Sequence, residues 1–148
     1  MISANEAPPC LYLRLRLASK RLLTLYEARL AASGVSMSQF DDTYLTNVRE
    51  FMDKQAKAYP KGDGVQLQFE DARADVVKQL SQVENFISQK VDAIVVNPVD
   101  TAATKKITEA AVKAGIPLVY VNRRPDDLNL PKGVVTVASN DLEAGKMQ

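Results

Sequence analysis

Residues 93–125 read AIVVNPVDTAATKKITEAAVKAGIPLVYVNRRP, and their order decides the fold. Ala93–Val96 is an unbroken apolar run rich in β-branched residues, the composition of a strand buried on both faces of a parallel sheet. Thr101–Ala114 then carries a helical pattern, with Asp100 placed as an N-cap and Gly115 and Pro117 closing it. Pro117–Val121 is a second apolar run. Strand, helix and strand in this order make a βαβ unit, whose two strands lie parallel. Each strand runs directly into a polar cluster: Asn97-Pro98-Val99-Asp100 after the first, Asn122-Arg123-Arg124-Pro125 after the second.

The same rhythm extends in both directions. Upstream, Gly34–Met37 is a short apolar run followed by Gln39-Phe40-Asp41-Asp42. Thr43–Ala58 places Leu45, Val48, Met52 and Ala56 on one helical face. Residues 59–64 are turn chemistry, after which Val65, Leu67 and Phe69 alternate with polar residues as in a strand with one exposed face. Asp75–Gln89 is the next helix, with Val76, Leu80, Val83 and Ile87 on its apolar side. Downstream, Val134–Val137 is a last strand, followed by Ser139-Asn140-Asp141. The expected architecture is a doubly wound α/β fold, a parallel sheet with helices on both faces. Polar groups gathered at the carboxyl ends of parallel strands are where open sheets of this kind take ligands.

Composition narrows the function. The chain has 148 residues, with 46% hydrophobic and 25% charged, the balance of a soluble domain with a real core. Its 19 basic and 18 acidic side chains give a net charge of +1, which supplies no electrostatic footprint for nucleic acid. One cysteine, Cys10, excludes an internal disulfide, and the absence of histidine excludes serine–histidine triads and histidine zinc sites. No apolar run reaches the ~20 residues that span a bilayer, so no stable membrane insertion is expected. Residues 1–33 stand outside the rhythm. Leucines alternate with arginines over Leu11–Leu17, and Leu22–Leu30 suggests a basic amphipathic helix. A membrane-surface helix, an arginine-rich targeting peptide and an unrelated extension all fit that segment. No export signal is readable in it.

Three stretches together carry a resemblance: Gly34–Leu45 (GVSMSQFDDTYL), Val95–Thr101 (VVNPVDT) and Ile116–Pro125 (IPLVYVNRRP). In this order and spacing they resemble the periplasmic sugar-binding proteins of ABC importers, within the galactose-, ribose- and inositol/rhizopine-binding branch. The resemblance implies a type I periplasmic-binding fold, with two similar lobes closing on a sugar about a hinge. This chain is similar to the first lobe only. The expected domains are an atypical extension over 1–33, a sugar-binding lobe over 34–138 and the start of a crossover to a second lobe over 139–148. A fragment with an unrelated start is the simplest reading of Ala31-Ala32-Ser33, where the family has a charged residue and two more strand residues.

A polyhydroxylated ring presents hydroxyl edges and apolar C–H faces. Carboxylates and amides accept from or donate to adjacent hydroxyls, arginine adds a rigid donor fork, and aromatic rings stack on the faces. By resemblance, Asp42 accepts ring hydroxyls, Tyr44 or Phe40 stacks on the ring, and Asn122 and Arg123 hold the sugar as an amide–arginine pair. Each has a plainer alternative: Asp41 or Asp42 caps the helix at Thr43, Tyr44 is core, Asn122 is a turn residue. Asp41, Asn97, Asp100 and Asn140 are further ligand or hinge candidates, with Asn97 otherwise a loop anchor and Asp100 an N-cap. Arg124 faces solvent.

The implied partners are a monosaccharide or cyclitol and an importer permease, with no cofactor and no nucleic acid. A second function class is the effector lobe of a lac-repressor-type regulator, which requires a helix-turn-helix that residues 1–33 do not offer. Catalysis is the third. It is disfavoured because the first strand is followed by neither Gly-x-Gly-x-x-Gly nor a P-loop, and adjacent Asp41 and Asp42 make no metal site alone.

Overall fold

The computed structural model describes residues 32–58 and 65–138. The expectations for residues 1–31, for the 59–64 turn, for Asn140 and for the 139–148 crossover lie outside the described residues. Five strands, β1 (Ala32–Met37), β2 (Gln66–Asp71), β3 (Ala93–Val96), β4 (Leu118–Val121) and β5 (Val134–Val137), form one sheet in the order β2-β1-β3-β4-β5. Every neighbouring pair is parallel. Three helices, α1 (Thr43–Lys57), α2 (Val76–Ser88) and α3 (Thr104–Ala114), connect the first four strands. The doubly wound sheet expected from the sequence is the fold observed. β1 takes in Ala32 and Ser33, two residues ahead of the expected start at Gly34.

Strand alternation divides the core between two faces. Ile94, Val96, Leu118, Tyr120 and Val134 pack with Val83 and Phe86 of α2 and with Ile107 and Ala111 of α3. Val35, Met37, Leu67, Phe69 and Val95 pack with Leu45, Val48 and Met52 of α1. Gly34 is required by this arrangement: a Cβ there would stand 2.3 Å from the Phe86 ring. Tyr120 is fully buried beneath α3. Its hydroxyl donates to Thr104 O at 3.0 Å and accepts from Thr108 Oγ1 at 2.8 Å, so the one polar atom of the ring is satisfied. Burial pushes its phenol up to about 12, with the Thr108 hydrogen bond opposing the rise.

Two expectations about the helices need correction. The helix after β3 begins at Thr104 rather than Thr101, and its N-cap, Ala103, makes no side-chain cap bond. Asp100 Oδ1 accepts instead from Ala102 N at 2.9 Å, so it closes the turn leading into α3 and does not cap the helix. The buried face of α2 comprises Gln79, Gln82, Val83 and Phe86, while Val76, Leu80 and Ile87 are half-buried at its margins. The far end of α3 is as expected: Gly115 is left-handed at φ 70°, and its N–H and that of Ile116 return to the last turn.

Candidate functional site

In the strand order 2-1-3-4-5 the chain leaves β1 toward one side and β3 toward the other, opening a crevice at their carboxyl ends. Three of the polar clusters meet there. Asn97, the first residue after β3, is 0% exposed, and its backbone N–H donates to Ser36 O of β1 at 2.9 Å. Its side-chain Nδ2 donates to Ser38 Oγ at 3.1 Å, joining the β3 end to the β1 end. Its Oδ1 is buried and accepts no hydrogen bond within the structure. The side chain therefore anchors the loop, as expected, and keeps one acceptor in hand.

The β4 end is clipped to the same place. Asn122 takes a left-handed conformation at φ 68°, which asparagine tolerates better than most residues. Its N–H donates to Val137 O, and Arg123 N–H closes back on Val121 O at 2.7 Å, so the chain reverses tightly around it. The reversal carries the Arg123 side chain over the β3 loop. Nη1 donates to Val99 O at 2.9 Å and to Pro98 O at 3.3 Å. Anchoring one nitrogen of the guanidinium fork in this way fixes the plane in which its other donors lie. Arg124 is exposed, as expected.

The β1 end divides its residues differently. Asp42 is the N-cap of α1, with Oδ1 accepting from Leu45 N at 2.9 Å, and Asp41 is exposed beside it. Capping thus belongs to Asp42, and only its second carboxylate oxygen is left for other work. Tyr44 is 43% exposed in the first turn of α1, which rules out the core alternative for it. Phe40 is half-buried, and the Arg49 guanidinium carbon lies 3.8 Å from its ring centroid. One face of that ring is occupied by a cation–π contact, so a second group can stack only on the other. Arg49 Nη2 also donates to Phe40 O and Thr46 Oγ1, and Thr46 Oγ1 donates to Phe40 O, which pins the loop to α1.

Residues that the sequence pattern passed over hold this edge from beneath. Gln79 Nε2 donates to Asn97 O at 2.9 Å and to Ser36 Oγ at 3.3 Å, while Gln79 Oε1 accepts from Val99 N at 2.9 Å. Ser36 Oγ donates to Gln82 Oε1 at 2.7 Å, and Gln82 Nε2 donates to Asp71 O at 2.9 Å. Two glutamines on one helix thus tie together the ends of β1, β2 and β3. Their spacing from Phe86, at i−7 and i−4, puts all three on one helical face, and that is the signal that could have found them. Among the described residues no three His, Cys, Asp or Glu side chains gather as metal ligands, and no helix is long and apolar enough to cross a membrane.

Comparison with known proteins places the chain. Residues 33–148 match the model of the periplasmic binding protein domain. The chain belongs to that family. A putative rhizopine-binding protein of Rhizobium meliloti is 51% identical over 116 residues, covering 78% of this chain and 37% of the relative. The ribose import binding protein of Bacillus subtilis is 32% identical over 77% of this chain and 35% of its own length. A solved solute-binding protein of an ABC transporter from Bacillus halodurans, with bound myo-inositol, is 40% identical over 71% of this chain and 35% of that one, at a TM-score of 0.63. The chain therefore spans little more than a third of the curated relatives it matches.

Proposed function

We propose that this periplasmic-binding domain supplies one ligand-facing edge of a solute-binding protein that delivers a monosaccharide or cyclitol to an ABC importer, with an inositol-type ring the favoured ligand. The observation that carries the reading is the convergence at the β3 and β4 ends. Asn97, fully buried, ties the β3 end to the β1 end there, and the exposed Arg123 fork is anchored on the loop that follows Asn97. Adjacent hydroxyls on a ring require fixed donors and acceptors, and each one left without a partner by a wrong hydroxyl pattern costs about 1–3 kcal/mol.

In this reading Asn122 and Arg123 bind hydroxyls from one side and the second carboxylate oxygen of Asp42 accepts from another. Tyr44 or Phe40 stacks on the ring. Asp41 is an additional polar contact, Asn140 a hinge group or a further contact, and Asn97 serves the site from within its loop. Asp100 is committed to its turn and serves the loop's shape. The ligand lies between this lobe and a second one, closure about the hinge gives the permease a form to recognise, and the protein acts in the periplasm without catalysis. The relatives are import and solute-binding proteins, which favours this reading over a sugar-responsive regulator and over an enzyme.

Titration of the ¹⁵N-labelled chain with myo-inositol, D-ribose and D-galactose tests the proposal. Half of a polar shell should bind in the millimolar range, about −4 kcal/mol. Amide shifts should concentrate at residues 38–42, 97–99 and 122–124, with myo-inositol giving the largest. Shifts scattered over α3 and the β5 edge, or none with any of the three, would overturn it.

A further inference from the structure

We infer that Gln79 is the positioning residue of the ligand edge: from beneath the sheet it sets the shape of Asn97-Pro98-Val99, on which Arg123 docks. The inference rests on the reading of this edge as the ligand site, and it extends that reading to a residue that never touches ligand. Gln79 is 2% exposed, on the buried face of α2. Its amide grips the segment on both sides of Pro98, donating to Asn97 O and accepting from Val99 N, each at 2.9 Å. The orientation of the amide is unambiguous, since a backbone carbonyl can only accept and a backbone N–H can only donate.

The grip matters because of what the loop carries. Pro98 has no N–H, so the segment loses one of its own means of fixing its backbone. The Val99 carbonyl takes Arg123 Nη1 on the peptide that follows the N–H held by Gln79. The Asn97 side chain projects from the residue whose carbonyl Gln79 holds. One buried amide therefore sets both the Asn97 tie to Ser38 and the platform of the Arg123 fork. A displacement of several tenths of an ångström is enough to spoil hydrogen bonds aimed at a rigid ring.

Two variants of the chain test this, Gln79→Met and Gln79→Glu. Methionine keeps the volume and removes all three hydrogen bonds, to Asn97 O, Val99 N and Ser36 Oγ. Glutamate keeps the acceptor for Val99 N, but as a carboxylate it cannot donate to Asn97 O; protonated, it can. In Q79M, Val99 N–H exchange should quicken, the Asn97 side-chain amide signals should move, and the response to myo-inositol should weaken by about tenfold. In Q79E the same loss is expected at high pH, with recovery toward the parent as the pH is lowered and the buried acid takes up its proton. Asp71, Asp75 and Asp100, the carboxylates on the segments adjoining Gln79, are present in the parent as well, whose own profile is the baseline.

A folded Q79M with the parent's Val99 exchange and inositol response overturns the inference. So does a Q79E whose response ignores pH, and that series decides alone should Q79M fail to fold. If the parent itself is silent to myo-inositol, the function proposal fails, and Val99 exchange in the two variants decides the positioning role.

Discussion

On one face of the sheet α1 meets β1, β2 and β3 through Leu45, Val48 and Met52; on the other, α2 sets Gln79 and Gln82 beside Val83 and Phe86. The first interface is apolar side chains against apolar strands, which hold by area and tolerate small sliding. The second adds five side-chain hydrogen bonds that end on Ser36, Asp71, Asn97 and Val99 at the strand ends. Directional bonds fix register as well as proximity. The α2 face fixes the strand ends through a buried polar network, whereas the α1 face is held by area and its loop is pinned locally, by Asp42, Thr46 and Arg49.

The sharpest way to break this contrast is to disturb the α2 contact. Phe86→Ala should cost about 3–5 kcal/mol in urea unfolding, the largest single effect expected. Gly34→Ala, which drives a methyl into the ring, should cost about 1–3 kcal/mol. The two are coupled: in the Phe86→Ala background the Gly34→Ala penalty should vanish. Penalties that simply add would mean that the ring does not explain Gly34.

The next effect is a pH dependence on the same face. An unfolded tyrosine ionises near 10 and Tyr120 in the fold near 12, so the native state resists ionisation. Below pH 10 both states hold the proton and the stability is intact. Between 10 and 12 the unfolded state alone ionises and stability falls, with the loss complete above the folded value, by roughly 2–3 kcal/mol in all. Tyr120→Phe should be less stable at neutral pH by about 1 kcal/mol and should lack this fall. Parallel stability profiles for parent and variant from pH 9 to 12 would contradict the burial of that hydroxyl. The smallest effect belongs to the apolar face. Asp42→Ala removes the α1 cap and should lower the unfolding free energy by about 1 kcal/mol. Val99 exchange should stay unchanged, and a change there would show that the two faces communicate.

The sequence made the strands legible because burial on both faces forces runs such as Ala93–Val96, and the positions of the polar clusters followed from that. The residues of the candidate site were legible in type but not in partnership. Ser38 and Asn97 are 59 positions apart and Arg123 and Val99 are 24 apart, so their bonds depend on strand order rather than on local pattern. Gln79 and Gln82 were hidden by their own chemistry. A polar side chain in an amphipathic helix counts toward solvent, and here the buried backbone groups at the strand ends overrode that assignment. Thr101–Ala103 misled in the opposite sense: Asp100 ahead of small residues looks like a cap, yet its short turn ends before the helix begins.

The place of β1 in the sheet has a consequence for how the chain assembles. First of the five strands in sequence, it pairs on one side with residues 66–71 and on the other with residues 93–96. Ala32 N, which donates to Asp92 Oδ2, reaches a partner 60 positions away. Made from its N-terminus, the chain would hold an apolar strand with two open edges until two later crossovers had been built. Closing loops of that length slows folding, and open apolar edges invite association while they last. Early β1 should be the segment that most needs protection during synthesis, and α2, which brings Phe86 onto Gly34, the element whose arrival ends that need.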